Sequence, residues 1–98
     1  MPQDLVDDNP LVIENEYDFA KLNDKNWSSI IVKEELFKEM RNELILNDYP
    51  HIQFIHIQRE SFEKVSRLTI SNLPELILLV IEDDSFFETT SLTLSSIF

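Results

Sequence analysis

A chain of 98 residues with 43% apolar side chains is long enough for one domain and apolar enough for a packed core. Its 8 basic and 19 acidic residues leave a formal net charge of −11, which repels phosphate backbones and anionic lipid heads and sets nucleic acid and membrane surfaces aside as partners. The absence of cysteine removes disulfide frameworks and thiolate metal sites, and the absence of glycine leaves Asn47-Asp48, Asn72 and Asp83-Asp84 as the residues expected at tight turns.

Residues 1–9 are acidic and polar and are expected to fray. They lack the basic start and long apolar stretch of a secretory signal, and the longest apolar run, Leu76–Ile81, is far short of the ~18 residues of a membrane span. These features read as a protein of the cytoplasm or another intracellular compartment, with no membrane insertion. Pro10 leads into a short strand at Leu11-Val12-Ile13. Phe19 and Leu22, at helical spacing, mark one helical turn within residues 16–22. Residues 1–26 do not share the pattern that follows, and we read them as a tail and N-terminal cap.

From Trp27 the pattern is regular. Trp27, Ile30, Val32 and Phe37 have the same relative spacing as Ile52, Ile55, Ile57 and Phe62, and as Leu76, Leu79, Ile81 and Phe86. The first set is offset from the second by 25 residues and the second from the third by 24. Identical residues also recur at 24: Pro50 and Pro74, Ser61 and Ser85, Leu68 and Leu92, Thr69 and Thr93. A fixed period of this size predicts a repeat solenoid, here with about three units at 27–51, 52–75 and 76–98. The inner alternation predicts a short β-strand in each unit, with the phenylalanine five residues later turning into the core. Val65, Leu68, Ile70 and Leu73, matched by Thr89, Leu92, Leu94 and Ile97, predict a second strand per turn. In the first unit, Leu36, Phe37, Met40 and Leu44 at helical spacing among strong helix formers predict a short helix near residues 34–44 instead.

The segment Leu76-x-x-Leu79-x-Ile81-x-x-Asp84-x-Phe86 resembles the leucine-rich repeat, and the pairs Ser61-Phe62 and Ser85-Phe86 resemble its irregular, surface-antigen-like type. The resemblance covers residues 27–98 and implies parallel strands lining a concave face that binds proteins. The family's asparagine position holds Glu35, Glu60 and Asp84, which cannot donate as an amide does; these carboxylates are expected to reach solvent.

If the core positions point inward, the alternate positions display Ser29, Ile31 and Lys33, then Phe54, His56 and Gln58, then Leu78, Val80 and Glu82. Ile31, Phe54, His56, Leu78 and Val80 form an apolar patch, the signature of a contact surface or of a face covered by further chain. This points to a non-catalytic protein–protein interaction or scaffolding module whose protein partner the sequence does not identify. The opposite face carries a Ser/Thr row (Thr69, Ser71, Thr93, Ser95), and the alternative is a carbohydrate-binding or adhesive surface protein using it. His51 and His56, five apart, are expected on opposite faces of a strand and share no metal. No nucleophile–base pair or glycine-rich phosphate loop is present, so no catalytic residue, metal site or cofactor is assigned. Asn26-Trp27-Ser28 and the acid-flanked Ser85 match modification patterns at the level of chance. Phe98 falls where Pro74 stands one unit earlier, so the last turn is expected to be incomplete. That end is expected either to continue as a longer array, of which this is an N-terminal fragment, or to self-associate.

Overall fold

The computed structural model describes residues 9–97. The expected acidic tail, Asn9 apart, and Phe98 at the end of the third unit lie outside the described residues. In chain order the elements are β1 (Pro10–Ile13), a 3-10 helix (Glu16–Asn23), β2 (Ser29–Val32), β3 (Glu43–Asn47), β4 (Phe54–Ile57), β5 (Arg67–Leu73), β6 (Leu78–Ile81) and β7 (Ser91–Ile97). They form two sheets, ordered β1-β2-β4-β6 and β3-β5-β7. Every strand pair is parallel. From β2 onward the chain alternates between the sheets, so β4, β5, β6 and β7 each lie beside the strand made 24 or 25 residues earlier.

The register follows the spacing of the sequence. Ile30, Ile55 and Leu79 lie opposite one another, as do Val32, Ile57 and Ile81. In the second sheet Leu44, Leu68 and Leu92 align, and so do Leu46, Ile70 and Leu94. Ile30, Val32, Leu44, Leu46, Ile55, Ile57, Leu68 and Ile70 of these columns form the core together with Leu11, Ile13, Ile52, Val65 and Leu73, whereas Leu79 is partly buried and Ile81, Leu92 and Leu94 are exposed. Burying such a side chain contributes about 1.5–3 kcal/mol. A one-residue slip would turn a whole column outward, so the hydrophobic alternation holds the register.

One expectation needs revision, the helix near residues 34–44. The chain there makes turns at Glu34-Glu35 and Lys38-Glu39 and enters β3. Glu35, Phe37 and Asn42 have positive φ (58°, 57° and 72°), which no right-handed helix accommodates. Helix propensity is overruled because this stretch stacks on its counterpart. The N–H of Phe62 donates to the Leu36 carbonyl at 3.0 Å, Lys38 pairs with Glu63 at 3.1 Å, and Lys64 pairs with Glu39 at 3.1 Å. Pairing is 25 apart through Glu39–Lys64 but 24 apart from Asn42, whose carbonyl accepts from the Ser66 N–H. The extra residue of the first unit is therefore Arg41, taken up by the left-handed Asn42.

The strand expected at Leu11-Val12-Ile13 is present: β1 is the fourth strand of the first sheet, with Leu11 and Ile13 opposite Ile30 and Val32. The 3-10 helix then covers the core at that end. Asn15 Oδ1 accepts from the Tyr17 N–H at 3.0 Å and Asp18 Oδ2 from the Glu14 N–H at 3.0 Å. The bond from Glu14, with Lys21 close by, holds the Asp18 carboxyl below the usual carboxylate range.

Turns without glycine use left-handed residues of other kinds. Asp48, Asn72 and Asp84 do so as expected, at φ 61°, 53° and 62°. Glu35, Glu60 and the three core phenylalanines join them; Phe37, Phe62 and Phe86 sit at φ 56–57°. Such a conformation costs a bulky residue about 1–2 kcal/mol. It is offset by stacking: the Phe37 and Phe62 rings lie 4.8 Å apart and nearly parallel, Phe62 and Phe86 5.3 Å apart, and Phe19 leans on Phe37 at 5.2 Å.

Candidate interaction surface

The outer face of the first sheet is where the sequence places contact residues, and the strand register brings them together. Val12, Ile31, His56 and Val80 form one cross-strand row. Pro10, Ser29, Phe54 and Leu78 form the neighbouring row. Four of the five expected contact residues, Ile31, Phe54, His56 and Val80, are half-buried, and Leu78 is exposed. Their inward neighbours Ile30, Ile55 and Ile57 are fully packed, so alternation alone separates the two sets. Ser29 departs from the expectation: it is completely buried within the row it was expected to display. Val12 joins the patch because β1 belongs to the sheet, and the alternation of Leu11 and Ile13 about it is the sequence signal for this.

His56 organises the centre of the patch. Its ring packs at 5.8 Å from Phe54, and Nε2 contacts a carboxylate oxygen of Glu82 on the next strand's turn. The other Glu82 oxygen accepts from the Arg59 N–H at 3.3 Å. His51 lies elsewhere and approaches Glu75 at 3.9 Å. Among the described residues no group of three His, Asp or Glu side chains converges on a common point that could hold a metal ion.

The turn beside this face carries ion pairs between successive units. Arg59 Nε donates to Glu34 at 3.2 Å, and that carboxylate raises the guanidinium's pKa above its ordinary value. Glu63 raises that of Lys38 in the same way, through its hydrogen bond. Behind the pairs, serine hydroxyls bond backbone across the turns: Ser61 donates to the Lys33 carbonyl at 2.9 Å and Ser85 to the Gln58 carbonyl at 2.7 Å. The acid-flanked Ser85 hydroxyl is thus engaged within the fold. One shallow cleft is lined by Arg59, Glu82 and Asp83, and another by Asp48, Pro50, Asn72 and Pro74. Neither sets a nucleophile against a base.

The Ser/Thr row lies on the outer face of the second sheet, and it is interrupted. Thr69 donates to Glu43 at 3.1 Å, and the first strand contributes Glu43, Ile45 and Asn47 in place of hydroxyls. Glu35 and Asp84 reach solvent as expected, while Glu60 is half-buried. None of the described helices is long and apolar enough to cross a membrane. Comparison with known protein families, curated proteins and solved structures finds no match to this chain.

Proposed function

We propose that this chain is a leucine-rich-repeat-like solenoid serving as a non-catalytic protein-interaction or scaffolding module, with Ile31, Phe54, His56, Leu78 and Val80 as the contact surface. One observation carries the reading. Parallel sheets are ordinarily covered on both faces, yet the apolar side chains Ile31, Phe54, Leu78 and Val80 on the outer rows of this one, with His56 among them, are half-buried or exposed. The constant 24–25-residue register of two parallel sheets supports the repeat architecture. The cysteine-free composition fits an intracellular setting for the same module.

The test is the double variant Phe54→Glu and Val80→Glu. Proteins captured by the wild-type chain and then purified are expected to bind the variant at least about tenfold more weakly, since interface energy concentrates in such anchors. The variant's far-UV circular dichroism should stay unchanged, because both side chains point out of the core. Equal binding by both forms would sink the assignment.

A further inference from the structure

The chain's two tyrosines have opposite settings. Tyr49 is 1% exposed, and its hydroxyl is engaged by the Leu22 carbonyl. Tyr17 is 94% exposed, the most exposed large hydrophobic side chain among the described residues. Its backbone is held, because its N–H donates to Asn15 Oδ1 in the first turn of the 3-10 helix. Its ring joins neither the core nor an aromatic pair, and among the described residues no hydrogen bond reaches its hydroxyl. An open cleft lined by Asn15, Glu16 and Leu36 lies beside it, which leaves the phenol approachable from its side as well as its tip.

The flanks give this hydroxyl a charge signature. Glu14, Glu16 and Asp18 surround it in sequence. Asp18 is turned back onto the Glu14 N–H and Lys21. Glu14 and Glu16 are exposed, and no ion pair among the described residues takes either of them. Asn15 between them is extended, at φ −155° and ψ 171°. Residues 14–17 are thus an exposed stretch that an enzyme cleft can take without opening the core. The acid-flanked Ser85 lacks this access, since its half-buried hydroxyl donates to the Gln58 carbonyl.

We propose that Tyr17 is a phosphorylation site for a tyrosine kinase with a basic peptide-binding cleft. The phenol oxygen attacks the γ-phosphorus of a nucleoside triphosphate. The new O–P bond forms as the bond to the β,γ-bridging oxygen breaks, the nucleoside diphosphate leaves, and the phenolic proton passes to a carboxylate base of the kinase. Glu14 and Glu16 meet Lys and Arg of the cleft, which steers the encounter. The product carries about −1.5 to −2 extra charge, standing in water where an arginine-lined partner pocket can read it. The proposal shares only the intracellular setting with the function proposed above. Its experiment reads phosphate rather than partner binding, so either assignment can fail without the other.

The test incubates the folded full chain with magnesium, ATP and a tyrosine kinase of acid-directed specificity. One phosphate is expected on the tryptic peptide ending at Lys21, the first basic residue of the sequence. Tyr17→Phe should abolish incorporation. Glu14→Gln combined with Glu16→Gln should lower kcat/KM at least about tenfold. Circular dichroism of that double variant should match wild type, since both side chains lie in solvent. In chain recovered under phosphatase inhibition from the cells that make it, the same peptide should carry a group that a tyrosine phosphatase removes. Incorporation only after unfolding in urea, phosphate on Tyr49 instead, or indifference to the two glutamate substitutions would each overturn the proposal. So would a phosphatase-resistant sulfate on Tyr17, or an unmodified Tyr17, in the chain from those cells.

Discussion

The end of the sheets at β1 and β3 and the end at β6 and β7 are built from the same columns of side chains, yet only the first is sealed. At the first end the 3-10 helix lays Phe19 on Phe37 and Leu22 into the core. Tyr49 locks the closure: its hydroxyl donates to the Leu22 carbonyl at 2.7 Å, and Lys25 sits 4.1 Å from its ring centroid while bonding the Asn47 carbonyl at 3.1 Å. At the other end Leu92 and Leu94 meet solvent. Apolar columns in a parallel sheet are buried only where a neighbouring element covers them, and among the described residues that cover is present at the first end alone.

The comparison predicts unequal costs for similar truncations. Phe62→Ala removes the middle of the ring stack at a fully buried site and is expected to cost about 3–5 kcal/mol. Leu94→Ala, on the open end, should cost under about 1 kcal/mol. Urea denaturation of the two variants measures this; similar losses would mean that the second end is as well packed as the first.

Tyr49→Phe tests the seal itself. Losing its hydroxyl leaves the Leu22 carbonyl unpaired inside the structure, at a cost of about 1–2 kcal/mol. Burial pushes the phenol up to about 12, above the unfolded value near 10. The neutral form is therefore the one that stabilises the fold. Its contribution is complete below about pH 10 and is lost as pH rises from about 10 to about 12. The gap between wild type and variant should accordingly be full at about pH 9 and shrink by about pH 11.5 in paired denaturation curves. A gap independent of pH would place the Tyr49 hydroxyl in water.

The smallest effect concerns the turns that both ends share. Glu60 is left-handed at φ 59°, so Glu60→Gly should stabilise by about 0.5–1 kcal/mol, a rise of a few degrees in Tm. Glu60→Ala retains the Cβ and should give no gain. If both variants gained alike, the side chain rather than the backbone would be the source of strain.

Much of this arrangement was legible in the residues. The 24-residue spacing, the period-2 alternation and the phenylalanine after each strand fixed which side chains align and which face inward, because in a parallel stack register and burial follow directly from sequence period. The outward grouping of Ile31, Phe54, His56, Leu78 and Val80 followed from the same alternation. Tertiary structure decided the remainder. Residues 34–44 have helical spacing, but stacking on the next unit's turn outweighed a local preference of a few tenths of a kcal/mol per residue. β1 joined the first sheet across an offset of 19, outside the repeat, because its two apolar side chains continue the Ile30 and Val32 columns. The burial of Ser29, the contact of His56 with Glu82 and the sealing role of Tyr49 depend on residues 19–27 apart in the chain. The period alone carries no sign of which end is covered; that was settled by where the 3-10 helix comes to rest.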